Sequence, residues 1–233
     1  MSAQIPLGFN ARERASFDNF LAGANTPAIE RLARFTGQPG EPVIYLCGPA
    51  GSGRTHLVQA VCNAASARGQ STVRIGLQAA ERLPLAALDG MENVAVVCVD
   101  DLDAVAGDTA WEAALDALIG RLHHVGGGLL VTADRPVAEL PHAGLRERLE
   151  SAMSFELQPL DAAGRAALLA ARAGRRGLLL PADVTALLLR HCSDHPARLI
   201  AALDTVEQVV LDGRRRLGVA SVRTALKAAG LLD

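Results

Sequence analysis

Apolar residues in this chain gather in short unbroken runs, separated by stretches where they recur every three or four positions. The runs PVIYLC at 42–47, STVRIGL at 71–77, VAVVCV at 94–99 and GLLVT at 128–132 predict strands, with a weaker fifth, MSFEL, at 153–157. The third run is continuous and largely β-branched, as expected of a strand covered on both faces. Helical spacing lies between the runs. Residues 56–68 show it through Leu57, Val61, Ala64 and Ala65, and residues 111–124 through Trp111, Leu115, Leu118, Ile119 and Leu122. Upstream, Thr26-Pro27-Ala28-Ile29-Glu30 has the form of a helix start, with Thr26 as cap and Pro27 at the first helical position. Ile29, Leu32, Ala33 and Phe35 then carry the helix on to Gly37. Strands alternating with helices predict an α/β fold, a parallel five-stranded sheet with helices on both sides.

The pattern changes after Pro159-Leu160. Helical stretches at 161–173, 181–192, 196–211 and 219–229 follow without a convincing strand. The expected organisation is a tail at 1–13, an α/β domain at 14–160 and a small all-helical domain at 161–233.

Composition narrows the partners. Half of the 233 residues are apolar, enough for a substantial core, but only five Phe, one Trp and one Tyr are present, so Leu, Val and Ala must fill it. A formal charge of −2 gives no global pull toward nucleic acid. No apolar run approaches the roughly 20 residues that span a bilayer. MSAQIPLGFN lacks the basic start and long apolar stretch of a secretory signal, so a cytoplasmic protein is expected. Cys47, Cys62, Cys98 and Cys192 have no paired spacing and read as reduced core residues.

The chemistry centres on Gly48-Pro49-Ala50-Gly51-Ser52-Gly53-Arg54-Thr55, between a strand and a helix. Gly48, Gly51 and Gly53 lack side chains, so backbone N–H groups can form one concave cradle for phosphate, backed by the positive helix N-terminus. A glycine-rich turn without a ligand is the bland alternative. Thr55 can place its hydroxyl on a magnesium ion. The third strand runs into Val99-Asp100-Asp101, where Asp100 would hold magnesium directly or through water and Asp101 would orient an attacking water. Asp134, after the fourth strand, could contact the γ-phosphate or that water; alternatively Asp134-Arg135-Pro136 is a turn with a local ion pair. Arg54 stands where a phosphate loop usually carries lysine. Its guanidinium keeps the charge and grips phosphate oxygens, but it is wider and flatter than an ammonium. Binding should survive, with ADP preferred, while self-hydrolysis is poor.

Together these residues resemble the AAA+ family and, within it, the core of the bacterial replication initiator DnaA. Phe17-Asp18-Asn19-Phe20 with Gly23 and Asn25, Val99-Asp100-Asp101-Leu102 with Gly107, and Leu130-Val131-Thr132-Ala133-Asp134-Arg135 carry the resemblance over residues 14–230. It implies a P-loop core with a helical lid, holding ADP or ATP with Mg2+. The implied nucleotide set is Phe20, Gly48, Gly51, Ser52, Gly53, Arg54, Thr55 and His56, with Thr55 and Asp100 on the metal and Arg198 from the lid as second sensor. Arg198 sits one residue later than the DnaA pattern suggests.

The chain stops at Asp233, where DnaA continues into a DNA-binding domain, and with arginine in the loop it resembles the Hda group, regulatory inactivators of DnaA. Gln4-Ile5-Pro6-Leu7-Gly8-Phe9 is similar to peptides that dock on the DNA polymerase sliding clamp, with Gln4 as polar contact and Leu7 and Phe9 as apolar anchors. The alternative is a tail tucked onto its own core. The resemblance implies that the chain, on DNA-loaded clamp, provokes hydrolysis of DnaA-bound ATP through an arginine finger. Counting back from Pro159, Arg148 falls on the position where the resemblance implies the finger, with Arg146 as alternative; both could instead be surface partners of Glu147 and Glu150. DNA is met only through the clamp, and a homodimer that hides Arg148 is the expected resting form. The competing function is a DnaA-like ATPase or initiation adaptor with its own turnover.

Overall fold

The computed structural model of the chain describes residues 14–35, 37, 43–192, 195–211 and 217–232. Five strands form one parallel sheet in the order β2-β3-β4-β1-β5, with β1 at Ile44–Cys47, β2 at Thr72–Gly76, β3 at Val96–Asp100, β4 at Gly128–Ala133 and β5 at Met153–Glu156. Register aligns Ile44 with Leu130 on one side and Met153 on the other, and Val96 with Thr72 and Gly128. Every residue of β1, β3 and β4 is buried, which is why these three read as unbroken apolar runs.

Helices α1 (Thr26–Ala33) and α2 (Arg54–Ala67) cover one face, packing Leu32, Leu57, Val58 and Val61 onto Ile44, Val96 and Leu130. Helices α3 (Thr109–Val125) and α4 (Ala143–Leu149) cover the other through Leu115, Leu118, Leu122, Leu145 and Leu149. Asp108 caps α3 by accepting from the N–H groups of Ala110 and Trp111, and Gly126, at φ +71°, ends it.

The remaining helices build a lid with its own core: α5 (Ala162–Arg175), α6 (Ala182–His191), α7 (Pro196–Leu211) and α8 (Val219–Ala228). Asp161 caps α5 by accepting from the Gly164 N–H.

Some expectations shift. Asn25 takes the N-cap position of α1 after a 3-10 turn at Gly23–Asn25 but makes no side-chain capping bond, and the Thr26 hydroxyl donates back to the Gly23 carbonyl instead of capping. It also stops at Ala33, short of Phe35, although Phe35 is buried. Helix α2 begins at Arg54, so the arginine of the loop is its first residue.

Candidate functional site

In a parallel sheet, ligands collect beyond the carboxyl ends of the strands. Here those ends present the loop after β1, the acidic pair at the end of β3 and, between them, the end of β4. Gly48, Gly51 and Gly53 adopt φ of +149°, +83° and +97°. Gly53 could carry no side chain in any case, since a Cβ there would lie 2.5 Å from the Phe20 ring.

A cavity of about 550 Å3 opens over this loop, within the ~300–1,000 Å3 usual for small-molecule sites. Phe20, Gly51, Ser52, Gly53, Arg54, Thr55, His56 and Asp101 of the expected set line it. The segment before α1 forms one wall: His56 Nε2 lies 3.0 Å from the Ser16 carbonyl, its ring is 5.4 Å from that of Phe20, and Asn63 donates to the Ala15 carbonyl at 2.8 Å. Asn25 and the backbone of Gln158 exchange two hydrogen bonds of 2.8 and 2.9 Å, tying that wall to the start of the lid. The lid closes the opposite side. His195 and Pro196 stand so close to the loop that a Cβ on Gly51 would be 3.2 Å and 3.0 Å from them.

The lid arginine at the cavity is Arg172 of α5, 6% exposed, donating to the Asn19 carbonyl at 3.2 Å. Arg198 is not among the lining residues; its guanidinium donates to the Leu231 carbonyl inside the lid, while Ala197 faces the cavity. One residue turns a helical side chain by about 100°, enough to account for the exchange. Sequence reading missed Arg172 because it sits among other arginines on an amphipathic helix and carries no motif.

The charged groups at the loop are committed to one another. Arg54, 11% exposed in its side chain, donates to the Gly48 carbonyl at 2.8 Å and pairs with Asp101 at 3.1 Å. Asp100 is fully buried, and Arg74 of β2 donates to its Oδ2 through Nε (3.2 Å) and Nη2 (2.7 Å). The Thr132 hydroxyl donates to Asp100 Oδ1 at 2.7 Å and accepts from the Asp101 N–H at 3.0 Å. Asp101 has φ +61°, the one left-handed non-glycine residue among those described. Burial, then repulsion from Asp100, raises its carboxyl above the usual carboxylate range, against the pull of Arg54.

These contacts decide what fits. Phosphate does: the glycine cradle is open, and the buried Ser52 hydroxyl, at the loop's turn, has no hydrogen-bond partner among the described residues. Magnesium does not fit this arrangement. Asp100, its expected ligand with Thr55, lies off the cavity wall with both oxygens engaged, one of them by a cation. Asp134 also lies outside the cavity lining and forms the local ion pair with Arg135 at 2.8 Å, which holds its carboxyl below the usual range.

Arg148 stands elsewhere, on α4 beside a second cavity of about 450 Å3. Its guanidinium lies over Gly120 of α3 and pairs with Asp116, and its side chain remains 44% exposed. Arg146 instead donates to the Leu140 carbonyl at 2.9 Å. Gln4, Leu7 and Phe9 lie outside the described residues.

Residues 11–158 match the family model of the bacterial DnaA ATPase domain, and residues 161–226 match a model described as Hda, lid domain. Domain III of the Thermotoga maritima replication initiation protein DnaA is similar, with a TM-score of 0.75 at 18% identity, covering 92% of this chain and 96% of that one. AMPPCP-bound DnaA from Aquifex aeolicus gives 0.69 at 19% identity, covering 87% of this chain and 68% of that one. A replication initiator DnaA bound to AMPPCP and single-stranded DNA gives 0.68 at 21% identity, over 83% of this chain and 64% of that one. Likeness at these identities carries the fold alone, a parallel five-stranded sheet followed by a helical lid. Among the described residues no helix is long and apolar enough to cross a membrane.

Proposed function

The chain belongs to the bacterial DnaA ATPase-domain family, and from that premise we propose that it regulates replication initiation by stimulating hydrolysis of ATP held by DnaA. In this reading it binds an adenine nucleotide, ADP at rest, in the cavity over the phosphate loop. It docks on the DNA-loaded sliding clamp through Gln4, Leu7 and Phe9, and Arg148 supplies the guanidinium to DnaA's transferring phosphate. The Hda-type lid supports the regulatory assignment. AMPPCP in the similar DnaA structures supports the adenine nucleotide.

The observation that carries the reading is a division between two sites. At the chain's own loop, Asp101, the group expected to orient water, is held by Arg54, so intrinsic turnover is slow. Arg148 lines a different, open cavity, where its partner is the exchangeable Asp116. An exposed pair of that kind is worth about 0–1 kcal/mol, whereas an arginine on a transferring phosphoryl group is worth on the order of 10³–10⁵ in rate. Releasing Arg148 from Asp116 therefore costs little beside the transition-state stabilisation it would supply.

The test measures hydrolysis of DnaA-bound ATP with loaded clamp and this protein. Arg148→Ala should abolish most of the stimulation with folding intact, and Gln4→Ala should abolish it only in the clamp-dependent assay. Full stimulation by Arg148→Ala would falsify the finger. Rapid ATP turnover by the protein alone, unchanged in Arg54→Lys, would instead make it a self-sufficient ATPase.

A further inference from the structure

The misfit between the acidic pair and magnesium has a structural cause with consequences for how nucleotide is held. Asp100 ends β3 with no exposure to solvent, and a buried carboxylate must be paired or it loses its charge. Its partner comes from the neighbouring strand: Arg74, two positions before Gly76, which is aligned with Asp100. Nε and Nη2 both converge on Oδ2, and the Thr132 hydroxyl takes Oδ1. The next carboxylate, Asp101, is held by Arg54, whose other nitrogen bonds the loop carbonyl of Gly48. Two arginines thus stand on the two carboxylates that would otherwise recruit a dication. Magnesium requires near-ideal octahedral oxygen ligation at ~2.0–2.1 Å and gives up its waters reluctantly. To ligate through Asp100 it would have to enter beside a guanidinium of like charge and displace a hydrogen-bonded hydroxyl.

The groups available to offset phosphate charge at this site are not metals. The loop's N–H groups and the N-terminus of α2 border the cavity, Arg172 lines it from the lid, and Arg54 lines it too, with part of its charge already taken by Asp101. We propose that the cavity takes its nucleotide as the free polyphosphate anion rather than as the magnesium complex, and that Arg74 is the residue that closes Asp100 to metal. This rests on the reading that the cavity binds adenine nucleotide and specifies the form in which it does so. It also gives a physical reason why the bound nucleotide would persist: the site lacks the metal ligation on which hydrolysis of its own triphosphate would draw.

The test is calorimetric titration of the full chain with ADP, in excess EDTA and in millimolar Mg2+. Equal or weaker affinity with Mg2+, within about twofold, is expected. Tightening by Mg2+ of about tenfold or more overturns the proposal and leaves nucleotide binding standing. Absence of binding in both arms overturns both readings. Mn2+ added to ADP-saturated protein, followed by electron paramagnetic resonance, should show no protein-bound ion; a bound ion overturns the proposal independently. Arg74→Gln, with folding checked by circular dichroism, should gain affinity for ADP when Mg2+ is added, because Asp100 is then released. A folded variant that remains indifferent to Mg2+ removes Arg74 from the explanation. The two wild-type experiments decide the matter even if that variant does not fold.

Discussion

Asp101 carries the strain of the site. It is left-handed at φ +61°, buried, and next to a second carboxylate, and its pairing with Arg54 only partly offsets these costs. Its folded-state pKa is raised above the ordinary 3.8, chiefly by burial and then by Asp100. The sign follows: folding favours the protonated form, so the group's contribution is largest below 3.8 and is lost as pH rises through the raised value. Asp101→Asn keeps an amide oxygen for Arg54 and a side chain that tolerates the left-handed region, while removing the charge. Thermal melts should place the Asn variant above wild type at neutral pH, with the gap closing as pH falls toward 3.8. A gap that stays constant or widens in acid would sink the assignment. The acidic pair itself was legible in the sequence, because two aspartates follow a β-branched run. Its arginine partner was not. Arg74 lies 26 residues upstream of Asp100, and only the register of β2 on β3 joins them.

Among the elements, what was legible followed length and burial. The wholly buried strands β1, β3 and β4 and the long amphipathic α3 show their periods plainly. The 3-10 turns at Leu77–Arg82, Leu85–Leu88 and Met91–Asn93 are too short to repeat a period. Helix α4 offers only Leu145 and Leu149 to the core, one helical repeat. That short helix nonetheless carries Arg148 across Gly120, a glycine in the interior of α3. An interior glycine costs a helix about 0.8–1.0 kcal/mol relative to alanine. A Cβ at Gly120 would lie 3.2 Å from a guanidinium nitrogen of Arg148, the far end of a flexible, half-exposed side chain that can give way cheaply. Gly120→Ala should therefore raise stability in urea titrations by up to ~1 kcal/mol. A loss of stability would mean that Arg148 is held in its place far more rigidly than an exposed ion pair allows.

At the scale of the whole molecule, the cavity exists because the lid and the sheet domain meet over the phosphate loop. The contacts there include Arg172 to the Asn19 carbonyl at 3.2 Å, Arg175 to the Asp18 carbonyl at 2.6 Å, and His195 and Pro196 against Gly51. The sequence placed the change from α/β to all-helical at Pro159-Leu160, but it put the lid's arginine at Arg198, since a motif position says nothing about which helix face meets the loop. An anion bound between the two parts would draw on both. It should then stabilise the whole fold by mass action, about 2.7 kcal/mol at a concentration 100 times Kd. Arg172→Ala removes a buried guanidinium from the cavity wall, and a charge-assisted contact is worth roughly 1.5–3 kcal/mol. The variant should weaken ADP binding by about 10- to 100-fold, and at a fixed ADP concentration its melting temperature should rise correspondingly less than that of wild type. Arg198→Ala, which alters the lid away from the cavity, should leave the ADP-induced shift unchanged. If Arg198→Ala abolished the shift and Arg172→Ala preserved it, the lid would have to close on nucleotide in an orientation different from the one seen here.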